Sequence, residues 1–449
     1  MSLPKYAEYR DSGVEWLGEV PAHWSAKPIR ALATLNDEVL PESTSEDHEI
    51  EYVDIGSVSL TTGIERTESM SFGTSPSRAR RVVREGDVLV STVRTYLKAI
   101  APVESPPPNL VASTGFAVVR PKASQCSAFL KYGLQCEPFV QQVIARSTGV
   151  SYPAINASDL ARIALWAPPF EEQRAIASFL DRETARIDAL IAEQETLLAL
   201  LAEKRQATIS HAVTRGLDPD VPMKDSGVAW LGDVPAHWGL RSIKSLASGE
   251  DALFTDGDWI ESRNLSDEGI RYITTGNVGL GHYKEQGSGF ISEKTFADLD
   301  CTEVFSGDVL ISRLNLPIGR SCLVPDLGVR IVTSVDNVIF RPGGDLDREY
   351  LVLRFSSADY LHEAGNIASG ATMQRISRSE LGAMRLALPP LDEQCMIRQY
   401  LTESIGRLHA LAAEAEKSIG LLRERRSALI SAAVTGQIDV RGLVDRDAA

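Results

Sequence analysis

The residues of this chain that could do chemistry are mostly hydrogen-bond donors at the ends of short apolar runs. One set is Arg78, Arg80, Arg81, Arg84, Arg94 and Lys98, with Ser151 and Tyr152 further along. A second is Arg313, Asn315, Arg320, Gln374 and Arg375. Guanidinium, carboxamide and hydroxyl groups suit recognition of a polar surface better than bond cleavage. The usual catalytic signatures are weak. His23 and His237 could serve as ligands or bases, but no metal or nucleophile motif accompanies them. Cys126, Cys136, Cys301, Cys322 and Cys395 are scattered, odd in number and form no CxxC pair, which reads as free thiols in a reducing compartment. There is no Walker lysine motif. Gly276, Gly279 and Gly281 do not open a helix after a strand, so they do not make a dinucleotide loop.

The donor sets sit on a duplicated scaffold. Asp11-Ser12-Gly13-Val14-Glu15-Trp16-Leu17-Gly18-Glu19-Val20-Pro21-Ala22-His23-Trp24 recurs as Asp225 to Trp238, with changes only at Glu15/Ala229 and Glu19/Asp233. Such self-similarity means two equivalent structural units. Its Trp, Leu, Val and Pro read as a docking segment that buries aromatics, with Trp16, Trp24, Trp230 and Trp238 the subunit-docking candidates. The strand-like run Glu51–Gly56 corresponds to Arg271–Gly276, and Gly86–Ser91 to Gly307–Ser312. Phe116–Pro121 corresponds to Asn337–Pro342, and Gly149–Ile155 to Gly370–Ile376. The polar residues after the strands differ. Ser91-Thr92-Val93-Arg94 faces Ser312-Arg313-Leu314-Asn315, Ser151-Tyr152-Pro153 faces Thr372-Met373-Gln374, and the arginine cluster at 78–84 has no counterpart. One scaffold with two loop chemistries is what two recognition surfaces need.

Each half closes in a long helix. Ala167-Pro168-Pro169-Phe170-Glu171-Glu172-Gln173 opens the first, and Leu388-Pro389-Pro390-Leu391-Asp392-Glu393-Gln394 the second. Proline is tolerated in the first turn, and the acidic residues after it favour the positive end of the helix dipole. Ile176, Leu180, Ile187, Leu190, Leu197 and Leu201 recur at seven-residue spacing, as do Ile397, Leu401, Leu408, Leu411, Leu422 and Leu429. Thr214-Arg215-Gly216 and Thr435-Gly436 end the pattern. A helix of about 45 residues is about 65–70 Å long, and the two stripes are expected to pair as an antiparallel coiled coil.

Composition bounds the rest. A chain of 449 residues allows about two to four domains. Its net charge of −15 excludes a passive polycation but leaves site-specific DNA binding open, because local patches decide steering. No run of eighteen apolar residues suggests a membrane span, and residues 1–10 lack an apolar signal core.

Two globular segments, each followed by a Pro-Pro-x-x-Glu-Gln helix, together with the duplicated Trp-Leu-Gly-x-Val-Pro-x-His-Trp segment, resemble the specificity subunit of type I restriction–modification enzymes. The resemblance covers nearly the whole chain. It implies an α+β protein with two similar mixed α/β target recognition domains, joined by two long helices in an antiparallel coiled coil with pseudo-twofold repeat. The expected boundaries are 1–166 for the first domain with repeat segment 9–24, 167–216 for the first helix, 217–387 for the second domain with repeat segment 225–238, 388–436 for the second helix, and a tail at 437–449.

The resemblance also implies a cytoplasmic, non-catalytic subunit. Each domain would read one half of a split double-stranded DNA site, and the helices would act as spacer and dock two modification subunits, with restriction subunits completing the complex. No cofactor is expected here; S-adenosylmethionine, ATP and Mg belong to the partners. Ala167-Pro168-Pro169-Phe170 superficially resembles the (Asn/Asp/Ser)-Pro-Pro-(Tyr/Phe) motif of amino-methyltransferases, but its alanine cannot accept from a target amino group. The DNA-binding candidates are then Arg78, Arg80, Arg81, Arg94, Lys98, Ser151 and Tyr152 in one half, and Arg313, Asn315, Arg320, Gln374 and Arg375 in the other. A competing expectation is a coiled-coil adaptor with two protein-binding domains; an orphan methyltransferase fits less well.

Overall fold

The computed structural model describes residues 3–287, 289–370 and 373–443. Ala371 and Thr372 of the second recognition segment, and 444–449 of the expected tail, lie outside the described residues. Two compact units emerge. The first comprises Met1–Gln194 and Lys417–Ala449, and the second Glu195–Glu416. Both long helices therefore contribute to both units.

The first long helix runs Phe170–Arg215 and the second Leu391–Val434. In the first unit, Ile176 and Leu180 share one core with Ile430, Ala433 and Val434, and Arg426 pairs with Asp188 at 2.8 Å. In the second, Ile209, Ala212 and Val213 share a core with Ile397 and Leu401. Within each unit the start of one helix thus packs beside the end of the other, the antiparallel arrangement expected of the stripes. The seam differs in its middle. Leu190, Leu197 and Leu411 are exposed, whereas Ala415 and Ile419 are buried. A 3.6-residue turn drifts away from a seven-residue repeat, so the buried stripe slides off the leucines that a strict heptad selects.

Each unit builds the same main antiparallel sheet. In the first unit its order is Ile100–Pro102, Val88–Ser91, Phe116–Pro121 and Ala33–Leu35; in the second it is Ser321–Leu323, Val309–Ser312, Asn337–Arg341 and Leu253–Asp256. The central strands are buried on both faces, as their unbroken Val/Ile/Leu runs require. A second sheet carries one parallel pair in each unit, Glu49–Val53 with Leu110–Ser113 and Ile270–Ile273 with Ile331–Thr333. Here the units diverge. The arginine-bearing edge strand Ala79–Val82 pairs with Leu110–Ser113, while its counterpart is a single bridge between Val304 and Ile331.

Three polar locks recur in the two units. Asp87, buried, takes two hydrogen bonds from Arg120 at 2.8 Å; Asp308 takes two from Arg341 at 2.8 and 2.7 Å. Those aspartates draw the guanidinium pKa values up. Gln173 accepts from the Cys126 amide and donates to the Pro168 carbonyl, and Gln394 treats Asp347 and Pro389 alike, all at 2.9–3.0 Å. Glu172 accepts from Trp24 Nε1 at 3.0 Å and lies 2.7 Å from His23 Nε2; Glu393 does so with Trp238 at 3.2 Å and His237 at 2.7 Å. The first-turn carboxylate thus satisfies the indole of the repeat segment while complementing the helix dipole. In the first unit Tyr6 also donates to Glu172 at 2.6 Å, and burial, with that carboxylate, pushes its phenol far above the usual range.

These locks correct one expectation. Trp24 and Trp238 are fully buried within their own units, where they pin the repeat segment to the long helix. They are not surfaces for another subunit. Trp16 and Trp230 remain partly exposed, Trp16 edge-on to Trp166 and Trp230 beneath the Arg354 guanidinium. All five cysteines are free. Among the described residues no helix is long and apolar enough to cross a membrane, and no group of His, Cys, Asp and Glu could hold a metal ion.

Candidate nucleic-acid interface

At the end of the central strand each unit brings its two variable segments together. In the first, Val93 bridges Ala154, Ala154 exchanges two 2.9 Å hydrogen bonds with Thr148, and the Ile155 amide donates to Thr92. In the second, Leu314 bridges Arg375, Arg375 exchanges bonds of 2.9 and 3.0 Å with Ser369, and the Ile376 amide donates to Arg313. The segment that follows Thr148 and Ser369 favours glycine at its first position. Gly149 and Gly370 have φ of +109° and +126°, and a Cβ on Gly370 would lie 2.3 Å from the Met373 carbonyl oxygen.

The residues displayed differ. Arg94 and Asn315, at matching positions, both adopt the left-handed region, with φ of 51° and 63°. Asn tolerates this conformation; for Arg it costs about 1–2 kcal/mol and marks a position held by its surroundings. Arg94 is exposed, with its guanidinium 5.0 Å over the ring of Tyr152, itself 65% exposed. Both line a cleft of 560 Å³ with Arg78, Asp54, Ser113 and Thr114. Arg78 donates to Tyr52 Oη at 3.2 Å. Ser151 is exposed beside Tyr152. Asn315 and Gln374 are exposed in the second unit, where Met373 stands in place of Tyr152.

Several other candidates are occupied within the fold. Lys98 pairs with Glu137 at 3.0 Å. Arg80 lies 4.5 Å over the Phe72 ring, and Arg81 is half-buried, with burial lowering its pKa. Arg313 is only 4% exposed and pairs with Asp256 at 3.0 Å; burial pulls its pKa down and Asp256 opposes this. Arg375 is half-exposed and pairs with Asp336 at 3.0 Å. Arg320 is buried and donates to the carbonyls of Thr275, Val278, Leu314 and Asn315 at 2.7–3.0 Å. Burial lowers its pKa too. Arg313 and Arg320 therefore brace the loop that carries Asn315 rather than standing at its surface, since five donors in a fixed fork suit a cluster of carbonyls. Sequence reasoning missed Asp54, Ser113 and Thr114, which approach Arg94 only through the second sheet. It also passed over Leu316 and Met373, exposed at 73% and 62%.

Residues 41–198 match the family described as type I restriction modification DNA specificity domain. The chain is similar to the type I restriction enzyme MjaVIII specificity subunit of Methanocaldococcus jannaschii, 21% identical over 324 residues, covering 70% of this chain and 71% of the relative. It is 22% identical over 327 residues to the EcoKI specificity subunit of Escherichia coli K12, covering 72% and 68%. Among solved structures, a chain described under complex assembly and conformational transition of the type I R-M system superposes with a TM-score of 0.66 at 24% identity, over 92% of this chain and 98% of that one. The HsdS subunit from Thermoanaerobacter tengcongensis gives 0.52 at 22% identity, over 93% and 98%. These two likenesses bear on the fold. Residues 41–198 thus carry a type I restriction modification DNA specificity domain, and over most of its length the chain is similar to the specificity subunits of type I restriction enzymes.

Proposed function

We propose that each unit reads one block of a split, asymmetric double-stranded DNA site for a type I complex. Arg94, Tyr152, Arg78 and Ser151 do so in the first unit, and Asn315 and Gln374 in the second. The observation that carries this is the pair of equivalent loop tips with unlike chemistry, a guanidinium on an aromatic ring against two carboxamides. Arginine matches guanine O6/N7 and a carboxamide matches adenine N6/N7. Lys98, Arg80, Arg81 and Arg375, paired or half-buried, take supporting or phosphate-contacting roles.

The chain supplies sequence choice in the cytoplasm, and chemistry resides on its partners. Two modification subunits would dock on equivalent faces of the long helices, where Leu190, Leu197, Leu200, Leu411 and Leu421 are exposed, and on the partly exposed Trp16 and Trp230. Restriction subunits join that complex, and S-adenosylmethionine, ATP and Mg are expected on the partner subunits. The helices, shared by both units, set the spacer between the blocks. Adding four residues to each at the exposed positions Ala199 and Gly420 lengthens each by roughly 6 Å. That should widen the spacer by about one or two base pairs. Methylation mapping in cells carrying this chain and its partner tests the reading. Two short unequal blocks support it, and a continuous site or none contradicts it. Light scattering of the co-expressed complex should give two modification subunits per chain; a stable one-to-one complex would contradict the docking scheme. Duplex binding no different from that of an unrelated scaffold would favour a protein-binding adaptor.

A further inference from the structure

Beside the carboxamides of the second unit stand two apolar side chains that donor-based recognition leaves unused. Leu316 and Met373 are 73% and 62% exposed. The antiparallel bridge from Leu314 to Arg375 joins the two segments, with Asn315 and Leu316 following Leu314 directly and Met373 and Gln374 directly preceding Arg375. The segment is braced from within, because Arg320 donates to the carbonyls of Leu314 and Asn315. In the first unit the buried Thr95 occupies the place of Leu316. The second tip is therefore a patch of two carboxamides and two apolar side chains.

That composition matches one base-pair edge. In the major groove an A·T pair presents adenine N7 and N6–H₂ beside thymine O4 and the C5-methyl group. A carboxamide bound to the adenine leaves the methyl group to an apolar neighbour. A G·C pair offers a cytosine amino group there, which an apolar side chain would desolvate without replacing its hydrogen bond. We propose that Leu316 and Met373 are specificity residues that recognise thymine methyl groups, so that binding of the block read by the second unit depends on those methyls. This rests on the reading that the strand-end tips meet DNA.

The test uses the full chain in complex with its modification subunits, bound to duplexes carrying the mapped site. Asn315→Ala identifies the block that belongs to the second unit. Each thymine of that block is then replaced by deoxyuridine, which removes only the methyl group. At one or more positions affinity should fall about fourfold, the value of burying a single carbon group. Leu316→Ala or Met373→Ala should weaken binding to the parent duplex by a similar factor and abolish the response to deoxyuridine at that position. Both side chains are exposed, so neither change removes core packing. Tolerance of deoxyuridine throughout the block, or a response that persists in both variants, would overturn the proposal. A complex that does not prefer the mapped site over a scrambled duplex would instead overturn the reading of the tips as DNA contacts, and this proposal with it.

Discussion

Tyr152 and Met373 occupy the same place in two units that share strand order, loop hydrogen bonds and three polar locks, yet one supports a guanidinium and the other stands beside a carboxamide. What is repeated holds backbone in place, as in Asp87–Arg120 and Asp308–Arg341, Gln173 and Gln394, or Glu172 and Glu393. What differs most at the tips, Arg94 and Tyr152 against Asn315 and Met373, is displayed to solvent. Duplication under these conditions separates folding from recognition. The locks fix where a tip sits, and the tip residues are free to change because few core contacts depend on them.

The largest departure from equivalence is in the helix-start lock. Glu172 receives Tyr6, Trp24 and His23 and is buried, whereas Glu393 receives Trp238 and His237 and is more open. Glu172→Ala leaves two buried donors and should cost about 3–5 kcal/mol; Glu393→Ala should cost about 1–3 kcal/mol. Urea unfolding followed by tryptophan fluorescence measures both, and equal losses would mean that Tyr6 adds nothing to the first lock.

Next in size is Arg320, whose place in the first unit is taken by the small, buried Ala99. Arg320→Ala strips donors from at least four carbonyls and should destabilise the second unit by about 2–3 kcal/mol. It should also relax choice in the second block alone. Lysine should not rescue it, because a point charge cannot fill a fork of acceptors. Unaltered choice in the second block would show that the loop holds its shape without this brace.

The smallest effect is one of pH. Burial lifts the Asp258 carboxyl from its ordinary 3.8 to about 6, against a hydrogen bond from the Thr302 amide. The folded state then holds this proton more tightly than the unfolded chain. Stability of the second unit should fall as pH rises between those values and level off above them. The half-exposed setting screens the effect, so a shift of a few degrees in melting temperature is expected. Asp258→Asn should flatten that slope; an unchanged slope would assign it to another group.

The long helices were legible because proline, acidic first turn and apolar period act locally and agree. The pairing of Ser91–Arg94 with Ser151–Tyr152 was legible only as a shared offset, which located both segments without showing that Val93 bridges Ala154. Burial of Arg313 and Arg320 was not legible. Arginine ordinarily reads as surface, and the carbonyls that hold these two are arranged by loop backbone rather than by residue type. Trp24 and Trp238 were recognised as aromatics that bury themselves, but not that the acceptor is the first-turn glutamate some 150 residues away. Leu316 and Met373 carry no donor, so a search for polar groups passed over them.

The central claim is that the two tips read independently. Methylation mapping of the parent beside Arg94→Ala and Asn315→Ala, each co-expressed with the modification subunit, tests it most directly. Each lost bidentate contact is worth about 1–3 kcal/mol of discrimination. Arg94→Ala should make one block degenerate and leave the other intact, and Asn315→Ala should do the reverse. Relaxation of both blocks by either change, or of neither by both, would contradict the account.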